Sequence, residues 1–260
     1  MTSFPWFVYF IAGFFGALWG SFSTVLVERL PRGMGVITGR SKCPNCKNTI
    51  KWYHNIPILS YLILRGKCAY CGWRIPVRYI VIELSSVIVS LLAVAFARNY
   101  NELLLFYFPS LVIVPIFYMD LFYQIIHDAL NYMIICYAFL AVLLGFAKIN
   151  IFQSFLGMGT CAGVTLLIYF ASRGGFGDGD VMLATAFGSI LGWKLGLFCL
   201  SLSFIIGGLF GILIMLKRKL AKEKIKGTMV PFGPFMCIAF LITLYRGEEV
   251  LNWWLRSWQL

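Results

Sequence analysis

The chain has 260 residues, of which 60% are hydrophobic, 17% aromatic and only 12% charged. A soluble domain carries roughly 25% charged residues, so this composition excludes an ordinary soluble protein. The mean hydropathy of +0.84 indicates a polytopic membrane protein. In a soluble protein the net charge of +12 would suggest nucleic acid. In a membrane protein such a surplus marks cytoplasmic loops, so we expect membrane lipid around the chain and no nucleic acid partner.

A membrane-spanning helix needs roughly 20 mostly apolar residues. Stretches that approach this length lie at about 4–27, 77–97, 103–119, 129–147, 151–171, 181–192, 195–216 and 230–245. The sixth is short, and a tight turn at 192–194 would separate it from the seventh. We therefore predict an all-α polytopic membrane protein with about eight transmembrane helices. It is organised as a first span (1–27), a polar insert (28–78) and a seven-span membrane domain (79–260).

The distribution of lysine and arginine predicts the orientation of these spans. If the insert is cytoplasmic, 17 of the 22 basic residues fall on its side of the membrane, including the basic run at 217–226. The other side then holds five. Because cytoplasmic loops carry the excess of Lys and Arg, this split places the insert in the cytoplasm and both termini outside.

Four of the eight cysteines lie in the insert as two Cys-x-x-Cys motifs, Cys43/Cys46 and Cys68/Cys71, with 21 residues between the pairs. Two such motifs at about this spacing are typical of a four-thiolate zinc site, which is closed and therefore structural. Two disulfides or a redox motif are the alternatives, but a reducing cytosol disfavours disulfides. The remaining four cysteines stand singly in apolar spans, as small buried hydrophobic residues.

Acidic residues are few, and five of the ten lie in spans or at their predicted cytoplasmic ends: Glu83, Asp120, Asp128, Asp178 and Asp180. A charged carboxylate at membrane depth costs about 2.5–3.5 kcal/mol on insertion scales. Each of these residues is therefore a candidate for function.

Two carboxyls that share one proton could perform aspartyl-protease chemistry without a metal. Asp120 and Asp128 are eight residues apart, about 12 Å along a helix, and Asp178 and Asp180 would face opposite sides of one. A working pair must therefore join separate segments, Asp120 with either Asp180 or Asp178. Two alternatives remain open: a Mg²⁺-dependent membrane transferase that uses Asp178 and Asp180, and a non-catalytic scaffold of a pilus or secretion machine.

Several motifs together resemble the bacterial type IV prepilin peptidases, which are GxGD intramembrane aspartyl proteases. The resemblance covers nearly the whole chain. Its most specific parts are Cys43-Pro-Asn-Cys46, Arg65-Gly-Lys-Cys68, Gly177-Asp-Gly-Asp180 and Pro231-Phe-Gly-Pro-Phe235.

The resemblance implies that Asp120 and Asp180 are the catalytic aspartates. It implies substrates that are prepilins or pseudopilins, with a short basic leader cut after a glycine at the cytoplasmic face of the inner membrane. Many members then methylate the new N-terminal amine from S-adenosylmethionine. This chain carries Met182 where a lysine is frequent in the family. The resemblance assigns no assisting role to Asp128, Asp178 or Glu83, and the sequence contains no feature that sets an oligomeric state.

Overall fold

The protein is described here by a computed structural model that covers residues 4–36, 41–172, 175–220 and 231–257. Its helices are α1 (Trp6–Arg29), α2 (Leu59–Ile63), α3 (Val77–Phe96), α4 (Tyr100–Tyr123), α5 (Asp128–Leu143), α6 (Ile151–Ala171), α7 (Asp178–Leu220) and α8 (Gly233–Ser257). Within these ranges there is no strand, which confirms the all-α prediction. Most of the predicted basic run at 217–226 lies outside the described residues.

Five of the described helices, α1, α3, α4, α6 and α7, are long and apolar enough to cross a membrane. The 16-residue α5 is a shorter apolar helix. Helix α7 has 43 residues, but Gly192 interrupts it with φ 71° and ψ 179°. The break falls where the sequence predicts a turn between the sixth and seventh spans. With α7 counted as two segments, each of the eight predicted spans corresponds to a helical segment.

The chain divides into two compact units, Met1–Met119 and Asp120–Leu260. In the first, α1 packs along α3, and hydrogen bonds join α1 to the early part of α4. The Trp19 indole Nε1–H donates to the Leu111 carbonyl at 2.8 Å, and the Tyr107 hydroxyl donates to the Ala12 carbonyl at 2.7 Å. Such bonds satisfy polar groups that would otherwise meet lipid. Large apolar side chains elsewhere on α1 are exposed, as suits contact with acyl chains.

In the second unit, α7 is the central helix and contacts α5, α6 and α8. Its first part, 178–191, is strongly buried, with Leu183 and Ala184 fully enclosed. The Phe187 ring stacks on the Phe240 ring of α8 at a centroid distance of 4.1 Å. This packing fixes the start of α7, where the acidic motif lies.

Helices α6 and α7 approach so closely that two glycines face each other. A Cβ atom added to Gly157 would lie 2.1 Å from the Gly188 carbonyl oxygen, and one added to Gly188 would lie 2.3 Å from that of Gly157. Beside them the Ser154 hydroxyl donates to the Ser189 carbonyl at 2.6 Å. Small residues of this kind let membrane helices pack backbone to backbone.

Replacing Gly157 by alanine should therefore destabilise the protein, because the new methyl group meets backbone that cannot rotate away. We expect a loss of about 1–3 kcal/mol in the free energy of unfolding, as for other over-packed cores. Gly159→Ala is the matched control on the same helix, since a Cβ there meets nothing within 4 Å. Thermal unfolding of the purified proteins in one detergent measures the difference, and equal midpoints for the two variants would contradict this packing.

Candidate active site and metal centre

Asp120 lies near the C-terminal end of α4 and is only 6% exposed. Its Oδ2 accepts a hydrogen bond of 2.9 Å from the backbone N–H of Gly233. Gly233 is the first residue of α8, so one of the unpaired N–H groups of a helix N-terminus points at the carboxyl. The positive end of the α8 dipole therefore faces Asp120.

Asp180 is the third residue of α7 and is 9% exposed. The Gly177 backbone hydrogen-bonds to its carboxyl, while Oδ1 has no partner among the described residues. Asp178, two positions earlier, is exposed, and its Oδ1 accepts the Gly179 N–H at 2.9 Å. The helix start thus buries one aspartate of the motif and leaves the other at the surface.

Asp120 and Asp180 come together within the second unit, close enough for their charges to interact. Ile126 lies against Gly179, which directly precedes Asp180, and against Gly233, which donates to Asp120. A Cβ atom on Gly179 would be 3.1 Å from the Ile126 Cβ, and one on Gly233 would be 3.2 Å from the Ile126 Cδ1. A side chain at either glycine would therefore press on Ile126, and one at Gly233 would also press on the Asp120 carboxyl.

The other three acidic candidates have different surroundings. Asp128 is the exposed first residue of α5. The N-cap of this helix is His127, whose Nδ1 accepts the Ala129 N–H at 3.2 Å. Glu83, in the first unit, accepts the backbone N–H of Ile58 at 2.7 Å. Asp178 is exposed, as described above.

The four cysteines of the insert form one cluster, with all four Sγ atoms within 4.8 Å of one another. Each Cys-x-x-Cys motif is a small hairpin with the same hydrogen bonds. The Cys43 N–H donates to the Asn48 carbonyl and the Lys47 N–H to the Cys43 carbonyl. In the second motif, the Cys68 N–H donates to the Trp73 carbonyl and the Gly72 N–H donates to the Cys68 carbonyl. Lys47 and Gly72 occupy the same left-handed position, with φ of 59° and 68°.

This cluster fits a zinc ion. The Cys43 and Cys71 sulfurs are 3.9 Å apart, near the roughly 3.8 Å that tetrahedral Zn–S bonds of about 2.3 Å require. Hydrogen bonding from the Trp73 backbone lowers the pKa of the Cys71 thiol to about 6. This shift favours the thiolate, which is the form that binds zinc. Among the described residues, these four form the one group of three or more His, Cys, Asp or Glu side chains able to hold a metal.

Comparison with known proteins identifies the family. The model of the Bacterial Peptidase A24 N-terminal domain matches residues 14–97, and that of the Type IV leader peptidase family matches 105–212. The chain is 29% identical to a prepilin leader peptidase/N-methyltransferase of Legionella pneumophila, over 99% of this chain and 98% of that protein. The protein of the same name from Bacillus subtilis (strain 168) is 31% identical, over 93% of this chain and 96% of that protein. The chain belongs to the prepilin leader peptidase family.

A further prepilin leader peptidase/N-methyltransferase, from Pseudomonas aeruginosa, is 29% identical over 93% of this chain and 91% of that protein. No solved structure matches the chain significantly. The prepilin leader peptidase resemblance inferred from the motifs is thus confirmed. The Type IV leader peptidase match spans both Asp120 and Asp180, whereas the N-terminal match spans the four cysteines and Glu83.

Gly233 is the residue of this candidate site that sequence reasoning missed, although it stands in the quoted motif Pro231-Phe-Gly-Pro-Phe235. A Cβ atom there would lie 2.6 Å from the Asp120 Oδ2. The obstructing atom is the end of a side chain, so Gly233→Ala should fold but displace Asp120. The sequence signal that could have indicated Gly233 is a glycine directly before a proline, a pair that is typical of a helix N-terminus.

We expect Gly233→Ala to lower the rate of leader cleavage by about a hundredfold, the scale of a displacement of roughly 1 Å at a reacting group. The initial rate on a prepilin peptide, at matched protein concentration, measures this. Gly208→Ala is the control, since its Cβ meets nothing within 4 Å. Equal rates for the two variants would mean that the Gly233 backbone does not position Asp120.

Proposed function

We propose that this chain is an intramembrane aspartyl endopeptidase that removes the short basic leader of type IV prepilins or pseudopilins. The observation that carries the proposal is the buried pair Asp120 and Asp180, in a chain whose family is named for leader peptidase activity. Relatives that match nearly its full length carry the name prepilin leader peptidase/N-methyltransferase. The biological setting would be a type IV pilus or a related protein secretion system.

The chemistry follows from two carboxyls that share a proton. The ionised carboxylate takes a proton from a water molecule, whose oxygen attacks the carbonyl carbon of the leader glycine. The protonated carboxyl donates to the carbonyl oxygen, and the resulting tetrahedral intermediate collapses as the leaving amine gains a proton. The Asp180 Oδ1, which has no partner among the described residues, is available to hold the water. The Gly233 N–H keeps Asp120 oriented.

The orientation of the protein supports a substrate cut on the cytoplasmic side. The count of Lys and Arg favours a topology with the insert, the C-terminal end of α4 and the start of α7 on one side, which then carries 17 of the 22 basic residues. We infer that this side is the cytoplasm and that the host membrane is the bacterial inner membrane. A structural zinc ion on Cys43, Cys46, Cys68 and Cys71 would hold the insert together there.

We infer a second activity, N-methylation of the amine that cleavage releases. The support is the name of the relatives, which joins leader peptidase with N-methyltransferase. The methyl donor for such a reaction is S-adenosylmethionine. When bound, it supplies an electrophilic methyl group to the amine nitrogen.

The two alternative functions are less well supported. A Mg²⁺-dependent transferase would need Asp178 and Asp180 to face one ion, but one is exposed and the other is buried. A non-catalytic scaffold has no need for two carboxyls enclosed at membrane depth, where each is costly.

A cleavage assay on the purified full chain tests the proposed function. A peptide with a basic leader, a glycine before the scissile bond and an apolar segment after it is incubated with the enzyme, with and without EDTA. Mass spectrometry reads the new N-terminus. We expect one cut after the glycine in both conditions and a mass gain of one methyl group when S-adenosylmethionine is added. No cut, or a cut that requires free Mg²⁺, would reject the aspartyl peptidase.

A further inference from the structure

The first unit contains a cavity of about 540 Å³, and every residue that lines it belongs to that unit. Its walls are the second half of α1, the insert and the beginning of α3. A cavity of roughly 300–1,000 Å³ is the usual size of a site for a small organic ligand. The proposed peptidase chemistry uses none of the residues that line it.

Two carboxylates face this cavity, and only one of them has a positively charged partner among the described residues. Glu28 forms ion pairs with Arg78 at 2.7 Å and Arg32 at 3.3 Å. Glu83 is half-buried and accepts hydrogen bonds from the Ile58 N–H and from Ser21, but no cation pairs with it in the described ranges. A half-buried carboxylate is costly without a positive partner. The cavity therefore suits a ligand that brings its own positive charge.

The rest of the lining suits the uncharged part of a nucleoside. The aromatic side chains of Tyr70 and Trp73 line the cavity, and aromatic faces stack on purine bases. The His54 Nδ1 is buried without a hydrogen-bond partner among the described residues. Asn55 adds an amide next to it, which can donate to and accept from a base or a ribose.

We propose that this cavity is the S-adenosylmethionine site and that Glu83 faces the positive charge of the ligand. The inference rests on the methyl-transfer half of the proposed function. In that reaction the amine lone pair forms a bond to the methyl carbon and the C–S bond pair stays on sulfur. The methylated amine then gives its extra proton to water. The sulfonium charge disappears, so Glu83 favours the donor over the neutral thioether product.

Glu83→Gln is a clean test because its amide oxygen still accepts the Ile58 N–H, while the negative charge is lost. This matters because Ile58 has φ 63°, a left-handed conformation that is rare for a β-branched residue and needs support. The matched control is Glu248→Gln, an exposed glutamate near Lys148 that lies in the second unit.

The measurement is equilibrium binding to the full chain in detergent, with three ligands. They are S-adenosylmethionine, S-adenosylhomocysteine, which lacks the sulfonium, and sinefungin, in which an amine-bearing carbon replaces it. We expect Glu83→Gln to weaken the binding of S-adenosylmethionine and of sinefungin about tenfold or more, and to leave the binding of S-adenosylhomocysteine unchanged. Glu248→Gln should leave the binding of all three ligands unchanged. If Glu83→Gln weakens the binding of all three ligands equally, the result also supports the site, with Glu83 facing the α-ammonium group that the ligands share. Unchanged S-adenosylmethionine binding overturns the inference.

A second pair of variants tests the cavity independently, in case Glu83→Gln does not fold. Val25 lines the cavity from α1, so Val25→Trp should fill it and abolish binding of all three ligands. Phe14→Trp on the exposed face of the same helix should bind as the wild type does. Zinc content and thermal unfolding midpoint report whether each variant is folded.

The outcomes separate this inference from the proposed function. A wild-type chain that binds S-adenosylmethionine and methylates, with Val25→Trp and Glu83→Gln binding as tightly, refutes the cavity and leaves the methyltransferase intact. A wild-type chain that neither binds nor methylates refutes both. Cleavage of the leader is independent of either result.

Discussion

Asp120→Asn and Asp180→Asn should each abolish leader cleavage, with rates lower by about 10²–10⁴-fold. An asparagine amide has nearly the shape of the carboxyl, but it can neither take a proton from water nor give one to the carbonyl oxygen. Since the two side chains act as one unit, the double variant should be no slower than either single variant. Initial cleavage rates at matched protein concentration, with thermal unfolding as a check of the fold, measure these effects.

Asp178→Asn and Asp128→Asn are the controls for this experiment. Both residues are exposed carboxylates close in sequence to the site, and both should keep at least partial activity. Full activity in Asp180→Asn would show that the buried aspartate of the motif is not catalytic. Loss of activity in Asp178→Asn as large as in Asp180→Asn would instead favour a site that uses both acids of the motif.

Removing the metal ligands should have the second large effect. The purified protein should contain about one zinc per chain, and replacing Cys43 and Cys46 together by serine should eliminate it. Structural zinc contributes about 10–16 kcal/mol of apparent binding free energy in zinc-finger peptides. A hairpin of this size has little apolar core to replace that contribution. We therefore expect the insert to unfold, as measured by elemental analysis together with proteolysis or hydrogen exchange of residues 41–75.

Cys136→Ser is the control for the metal experiment, because Cys136 lies in α5 outside the cluster and is exposed, unlike the buried position predicted for the single cysteines. It should keep both the zinc and the protected insert. A wild-type chain without zinc, in which Cys43, Cys46, Cys68 and Cys71 are paired as disulfides, would reject the metal site.

The positions of the spans could be predicted from the sequence, because apolar length alone determines which segments can cross a membrane. The break at Gly192 was predictable in the same way, from a glycine followed by a tryptophan and a lysine between two apolar runs. The sequence could also limit the aspartate pair to residues on separate segments. The choice of Asp180 over Asp178 came from the family resemblance, and the burial of Asp180 agrees with that choice.

Other parts of the site were beyond sequence reasoning for physical reasons. The donor to Asp120 is a backbone N–H of Gly233, 113 residues away, and every residue except proline carries such a group. Glu83 likewise accepts from a backbone N–H, that of Ile58. Lys47 adopts a left-handed conformation that its residue type does not favour, whereas Gly72 at the equivalent position does.

The two parts of α7 face different surroundings, and this difference should be visible in how their sequences diverge. Side chains in 178–191 pack against neighbouring helices, so a change at Leu183 or Phe187 needs a compensating change elsewhere. From Ile205 to Leu216 most large apolar side chains are exposed, and acyl chains accept any of them equally well. Substitutions should therefore accumulate freely in the later part of α7, constrained only by hydrophobicity, while the first part stays nearly fixed.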